Sequence, residues 1–346
     1  MNMTVKVGII GCGSIAQHRH LPEYAANQDV EIVAVCDVVK ERAEAAQAIY
    51  GGKIFTDYTE LLALEEVEAV SVCTPNYLHA PISIAALNAG KHVLCEKPMA
   101  TSLQEAEEMI AAAEKSGKTL MIGHNQRFVP AHQKAREIIA SGELGKVYSF
   151  RTAFGHPGPE GWSVDGVKSW FFKKDEAFIG AMGDLGVHKT DLIRYILGEE
   201  IAEVGAFVET SAKEFASVDD TAVCVLKTES GIIGTLAASW SYTAKEDNST
   251  IIYGEKGILR LEDDPKFSLV AQYTDGSIVR YELGAIQTNE NQSNSHVVDH
   301  FIEAVESGKA PLITGEEGKR SLAVILAALE SNEKKTIEKV KTGVHA

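Results

Sequence analysis

The sequence predicts an α/β protein. An N-terminal Rossmann domain with a doubly wound parallel sheet is followed by a C-terminal α+β domain built on an open, mostly antiparallel sheet. Three observations predict it. Short β-branched runs alternate with Ala-, Glu- and Lys-rich stretches over the first 125 residues, and a glycine turn follows the first of these runs. After about residue 145 the texture changes to strand-like runs joined by tight turns. Strand, helix, strand at the first spacing means βαβ units and a parallel sheet.

The runs at residues 5–10, 31–37, 69–73, 92–95 and 119–122 are continuous rather than alternating, as expected of strands buried on both faces. Residues 40–49, 80–89 and 103–115 read as helices, and Ser102 with Glu105 makes a capping box at the start of the last. Residues 146–154 read as a strand, followed by a Gly/Pro-rich segment at 155–162 and a helix over 183–197. Strand-like runs with turns such as 229–231 and 275–276 fill residues 202–283, and helices over 293–307 and 316–332 close the chain. The expected division is 1–125 for nucleotide binding and 126–346 for substrate binding and oligomerisation, with the last helices able to pack back on the first domain.

With 346 residues, 45% apolar and 24% charged, the chain has room for two ordinary domains. A net charge of −16 argues against a nucleic-acid partner, because phosphate neutralisation needs clustered Lys and Arg. Cys12, Cys36, Cys73, Cys95 and Cys224 form no Cys-x-x-Cys pair, so buried thiols in a reducing cytoplasm are expected rather than disulfides or a metal knuckle. No apolar run reaches 18 residues, so no membrane span is expected. Residues 1–11 lack the apolar core and cleavage site of a signal peptide.

Gly11, Gly13, Ser14, Ile15 and Ala16 give G-x-G-x-x-A between a strand and a helix. The first glycine makes the turn, the second admits a pyrophosphate and the small third residue lets helix and strand approach. The helix N-terminus offers free N–H groups to the phosphates. Asp37 ends the second strand, where it can bind ribose hydroxyls and repel a 2′-phosphate, which favours NAD over NADP. Helix capping is an alternative role for it.

Three further segments can carry chemistry. Glu96-Lys97-Pro98 ends a strand at the carboxyl edge of the sheet, and a residue before proline is conformationally restricted. Thr74, Asn76 and His79 occupy a strand-to-helix turn, where Asn76 can bind a ribose or nicotinamide group or simply cap the helix. Asp184, His188 and Asp191 fall at i, i+4 and i+7, on one face if the segment is a regular helix. A solvated face with a capping aspartate is the plain alternative.

Taken together, these segments and residues 123–128 (GHNQRF) resemble the glucose–fructose oxidoreductase/inositol dehydrogenase/MocA family of NAD(P)-dependent oxidoreductases. The resemblance implies an active-site Lys97 with a cis bond to Pro98, an Asp184–His188 pair, and Asp191 as a substrate-contacting acid. It also places Arg127 and Trp170 near the nicotinamide, and implies a homo-oligomer, dimer or tetramer, formed through the open sheet face. Residues 180–183 (GAMG) depart from the consecutive glycines of many members.

The expected chemistry is hydride exchange between NAD and a carbinol carbon of a sugar, inositol or related polyol. Neutral His188 serves as base, Lys97 stabilises the reacting oxygen, and Asp184 orients the imidazole or a hydroxyl. A nearby cation lowers the pKa of His188. No metal is needed. His156, Trp162 and Tyr242 are candidate substrate contacts, with Trp240 beside them; each has a plain alternative as a core or surface aromatic. Two other functions remain open: a catalytically silent NAD(P)-binding sensor, and an NADP-dependent reductase of a keto-sugar.

Overall fold

The computed structural model describes residues 4–284 and 294–343. Its first sheet contains β1 (Val5–Ile10), β2 (Val30–Cys36), β3 (Lys53–Phe55), β4 (Ala69–Val72), β5 (His92–Cys95) and β6 (Leu120–Ile122). These six strands are parallel, in the order β3-β2-β1-β4-β5-β6. Chain direction across the sheet reverses between β1 and β4, which opens a crevice at their carboxyl ends. Every residue of β4 is buried, as sequence continuity predicts. β3 is the strand that sequence reading does not find: three residues at an edge, none fully buried, leave no apolar run.

Helices α1 (Leu21–Ala26), α2 (Lys40–Tyr50), α3 (Tyr58–Leu62), α4 (His79–Asn88) and α5 (Leu103–Ser116) connect these strands. The Ser102 hydroxyl accepts the Glu105 N–H at 3.2 Å, and the Glu105 carboxylate reaches back to the Thr101 N–H at 2.8 Å. Such a cap is worth about 1 kcal/mol. The helix after the glycine turn starts irregularly, since Ala16–His20 winds as a π-turn before α1.

The second sheet contains β7 (Val147–Gly155), β8 (Ile201–Glu209), β9 (Thr221–Thr228), β10 (Ile233–Ser239), β11 (Thr250–Gly254), β12 (Gly257–Leu261), β13 (Leu269–Tyr273), β14 (Ile278–Tyr281) and β15 (Glu338–Lys339). Their order is β14-β13-β12-β11-β7-β10-β9-β8-β15. Only the β7–β10 pair is parallel. Burial in β9 alternates strictly, the signature of a sheet covered on one face. Helices α6 (Pro130–Ala140), α8 (Val187–Leu197) and α10 (Gly315–Lys334) share the core on the covered face, and the short α7 (Lys174–Ala177) precedes α8. On the open face Phe207 pairs directly with Val223, and Val225 and Ile233 lie nearby, all four exposed.

Helix α9 (Val297–Ser307) packs on α1, and α10 packs on α5, so the closing helices do return to the first sheet. The start expected at 293 lies outside the described residues. Among the described residues no helix is long and apolar enough to cross a membrane.

Candidate active site

A cleft of about 690 Å³ lies at the carboxyl ends of β1, β2, β4 and β5 and is closed by the second sheet's side of the molecule. That size suits a cofactor together with a small substrate. Gly11 has φ +91°, and a Cβ there would stand 2.5 Å from the Cys73 carbonyl oxygen, so only glycine fits the turn. A Cβ at Gly13 would meet nothing within 4 Å. The backbone at Gly13 therefore borders open space that a pyrophosphate can approach.

Asp37 lines the cleft with its carboxylate fixed by backbone. Oδ2 accepts the Cys12 N–H and Oδ1 the Val39 N–H, each at 2.8 Å. Each oxygen keeps acceptor capacity for a ribose hydroxyl. Ile15 and Thr74 line the same space, and the Thr74 hydroxyl is buried with no partner in the protein, a group that a bound molecule would satisfy. Asn76 donates to the Ala177 carbonyl at 2.9 Å. His79 lies between the Pro98 and Thr74 carbonyls at 2.7 and 2.9 Å, and burial lowers its pKa. These partners make Asn76 and His79 braces of the cleft wall. The residues present fit a dinucleotide.

The Gly/Pro-rich segment and the turns after it fold back across the glycine loop. Ser14 Oγ donates to the Trp162 carbonyl at 3.0 Å and accepts the Val164 N–H at 3.1 Å. Arg42 pairs with Asp165 at 2.6 Å. His156, Trp162 and Trp170 all line the cleft, with Trp170 stacked on Phe171. His156 Nδ1 accepts the Gly158 N–H at 3.0 Å, so a neutral His156 carries its proton on Nε2 as a donor.

The deep end of the cleft joins two elements. The Lys97–Pro98 peptide is cis. Lys97 Nζ donates to Asp184 Oδ1 at 2.9 Å and to the Asp184 carbonyl at 3.0 Å. Trp240 Nε1 donates to the other carboxylate oxygen at 3.1 Å. His188 lines the cleft beside them, 8% exposed, with a buried Nδ1 that has no protein partner. Burial, then the Lys97 charge, holds the His188 pKa well below 6.5. Glu96 lies just behind, with Oε1 accepting from Arg19 at 3.0 Å and hydrogen-bonded to His20 at 2.9 Å. Burial pushes the Glu96 pKa up, but Arg19 and His20 outweigh it and leave the group well below the carboxylate range.

Three expectations need correction. Asp191 does not reach the cleft. It is fully buried, gripped by Arg127 through two 2.7 Å bonds, and accepts from Ser321 Oγ at 3.0 Å. The reason is its place on α8: three residues after His188 in the same regular helix, it lies on the flank that meets Arg127 and, in α10, Ser321. Arg127 likewise does not line the cleft, and its guanidinium is committed to Asp191 and Glu317. Tyr242 packs on the backbone of Gly155, where a Cβ would lie 2.2 Å from its ring, and it does not line the cleft. Of the two roles expected of Asp184, its carboxylate is bonded to Lys97 and Trp240 rather than to the His188 imidazole, and it lines the cleft where a substrate hydroxyl can reach it.

Sequence reasoning misses Arg19, whose pairing with Glu96 spans 77 residues, and it offers Trp240 only as an aromatic surface. No short-range pattern signals either bond.

A glycine turn at a helix start, an acid at the end of the second strand and a Lys–Asp–His cluster in one cleft define a dinucleotide-dependent oxidoreductase. Residues 5–124 match the model of an "Oxidoreductase family, NAD-binding Rossmann fold", and residues 132–260 match the "GFO/IDH/MocA C-terminal domain". The myo-inositol 2-dehydrogenase of Thermotoga maritima is 29% identical over 342 residues, 97% of this chain and 99% of that protein. The crystal structure of an oxidoreductase domain protein from Kribbella flavida superposes with a TM-score of 0.86 at 30% identity, over 98% of this chain and 100% of that one. GenD2 from gentamicin A biosynthesis, crystallised with NAD, gives 0.85 at 27% identity, over 98% and 97%. This chain belongs to the GFO/IDH/MocA family of NAD-binding oxidoreductases.

Proposed function

We propose that the protein oxidises a secondary alcohol carbon of an inositol, sugar or related polyol with NAD, and runs the reverse reduction. The observation that carries this reading is the Lys97–Asp184 contact beside His188 in the cofactor cleft. The names of the relatives, inositol 2-dehydrogenases among them, support the substrate class.

When bound, the nicotinamide supplies a two-electron acceptor for the carbinol carbon. His188, neutral because burial disfavours its cation, takes the hydroxyl proton. Lys97 has a third N–H, beyond the two given to Asp184, for the oxygen whose negative charge develops. Asp184 holds that ammonium in place. His156 Nε2–H and the rings of Trp162 and Trp170 supply a donor and apolar faces for the rest of the ring. Asp37 selects NAD by repelling a 2′-phosphate.

We assign cofactor binding to 1–125, which also contributes Lys97, and substrate binding, with the base His188, to 126–346. The exposed Phe207, Val223, Val225 and Ile233 support self-association through the open sheet face, as dimer or tetramer. Five buried unpaired cysteines support a cytoplasmic location.

Purified protein mixed with NAD or NADP and a panel of inositols, aldoses and sugar acids tests the reading by the near-ultraviolet absorbance of the reduced cofactor. Reduction of NAD by a polyol supports it. NAD binding with no reduction by any polyol sinks it in favour of a silent sensor.

A further inference from the structure

The helix turn that carries Asp184 and His188 is held from below by a residue no motif singles out. Asp219 lies in the connection between β8 and β9, and its side chain spans the first turn of the catalytic helix. Oδ1 accepts the Gly180 N–H at 2.7 Å and Oδ2 the Met182 N–H at 2.8 Å. Its main-chain carbonyl accepts the Ala181 N–H at 3.0 Å. Three consecutive amides of the turn thus end on one residue. The approach is so close that a Cβ at Gly180 would stand 1.8 Å from the Asp219 carbonyl oxygen. The initial N–H groups of a helix have no partner within it, so this residue fixes both their satisfaction and the axial position of the turn.

The next residue extends the frame. The Asp220 carboxylate accepts the N–H groups of Ser211, Ala212 and Lys213 at 2.6 to 3.0 Å. Lys213 Nζ in turn grips the Pro157 carbonyl and the Glu160 carboxylate, in the segment that covers the glycine loop. The Asp220 carbonyl accepts the Trp240 N–H at 2.7 Å, and the Trp240 indole holds Asp184. Asp184 is therefore located from two directions that both start at residues 219 and 220.

We infer that Asp219 is a positioning residue for the reaction: by tying Gly180, Ala181 and Met182 to the second sheet, it sets where Asp184 and His188 stand against Lys97. This rests on the proposed catalytic roles of Asp184 and His188. Asp219 touches neither of them, and it does not line the cleft. Misplacement of reacting groups by about 1 Å can cost on the order of 100-fold in rate.

The test compares wild type with Asp219→Asn, which keeps size but loses one of the two acceptor oxygens, in turnover and in amide hydrogen exchange of the unliganded protein. Asp219→Ser, a smaller side chain that still caps one N–H, replaces it should the amide variant fail to fold. The expected result is a fall in kcat of about 10- to 100-fold, an unchanged KM for NAD, and faster exchange confined to residues 180–188. Wild-type kcat with wild-type exchange in that segment overturns the inference. So does a loss spread evenly over kcat, NAD affinity and exchange throughout the second sheet, which marks a merely structural role. The exchange result needs no turnover, so localised exchange in a protein whose wild type reduces no NAD upholds the helix tether and fails only the proposed function.

Discussion

Lys97, at the end of a strand in the first sheet, donates to both the carboxylate and the main-chain carbonyl of Asp184, at 2.9 and 3.0 Å, in the helix turn beside the second sheet. The contact crosses the whole interface between the two halves of the chain. Both groups are nearly buried, so the pair acts where water screens little. Lys97→Met should leave NADH affinity within a few-fold and cut kcat by about 100- to 1,000-fold, the usual loss on removing a donor aimed at developing negative charge. Cofactor fluorescence titration and steady-state rates check the two halves of that statement.

The pH profile follows from His188. It works in its neutral form, and burial followed by Lys97 disfavours the cation. The neutral form therefore persists as pH falls past 6.5, and the acid limb of kcat/KM should lie well below that value. Lys97→Met removes the second cause and should move the limb upward. A limb at or above 6.5 in the wild type contradicts the burial argument.

How much of this was legible in the sequence depends on the range of the interactions. The glycine turn, Asp37, Lys97 and the 184–188 pair are each specified by neighbours within a few residues, and all line the cleft as expected. The spacing of Asp191 puts it on the same helix as His188 but does not tell which flank meets Arg127 and Ser321, 64 and 130 residues away. The π-turn at Met182–Gly186 leaves no mark in hydrophobic periodicity, since every residue there is buried. Arg127 misled for the same reason of range: its partners, Asp191 and Glu317, lie 64 and 190 residues away. β3 was too short to register, and Tyr242 could not be placed without knowing that Gly155 opposes it.

Asp191 gives a third expectation. Burial raises its pKa, but His124 and Arg127 outweigh that and bring it down to about 2, as suits a permanently ionised structural partner. Asp191→Asn leaves the Arg127 guanidinium buried and underpaired, which should cost about 3–5 kcal/mol of stability. Substrate KM should change little. Thermal denaturation beside kinetics separates this from the substrate-contact role that the helix pattern suggested.

Asp37 gives a fourth. Its carboxylate is anchored by two backbone N–H groups at the cofactor cleft. Replacing it with Ser and the exposed Val38 with Arg should weaken NAD and admit NADP, a swing in relative kcat/KM of about 100-fold, or roughly 2.7 kcal/mol. Rates with the two cofactors at fixed polyol check it.

The most direct test is a paired measurement on wild type and His188→Ala: NADH binding by fluorescence, and NAD reduction by a polyol followed by absorbance. The account predicts matched NADH affinity and a loss of turnover of about 100-fold or more in the variant. Matched turnover in the two proteins would contradict it, because the base would then lie elsewhere in the cleft.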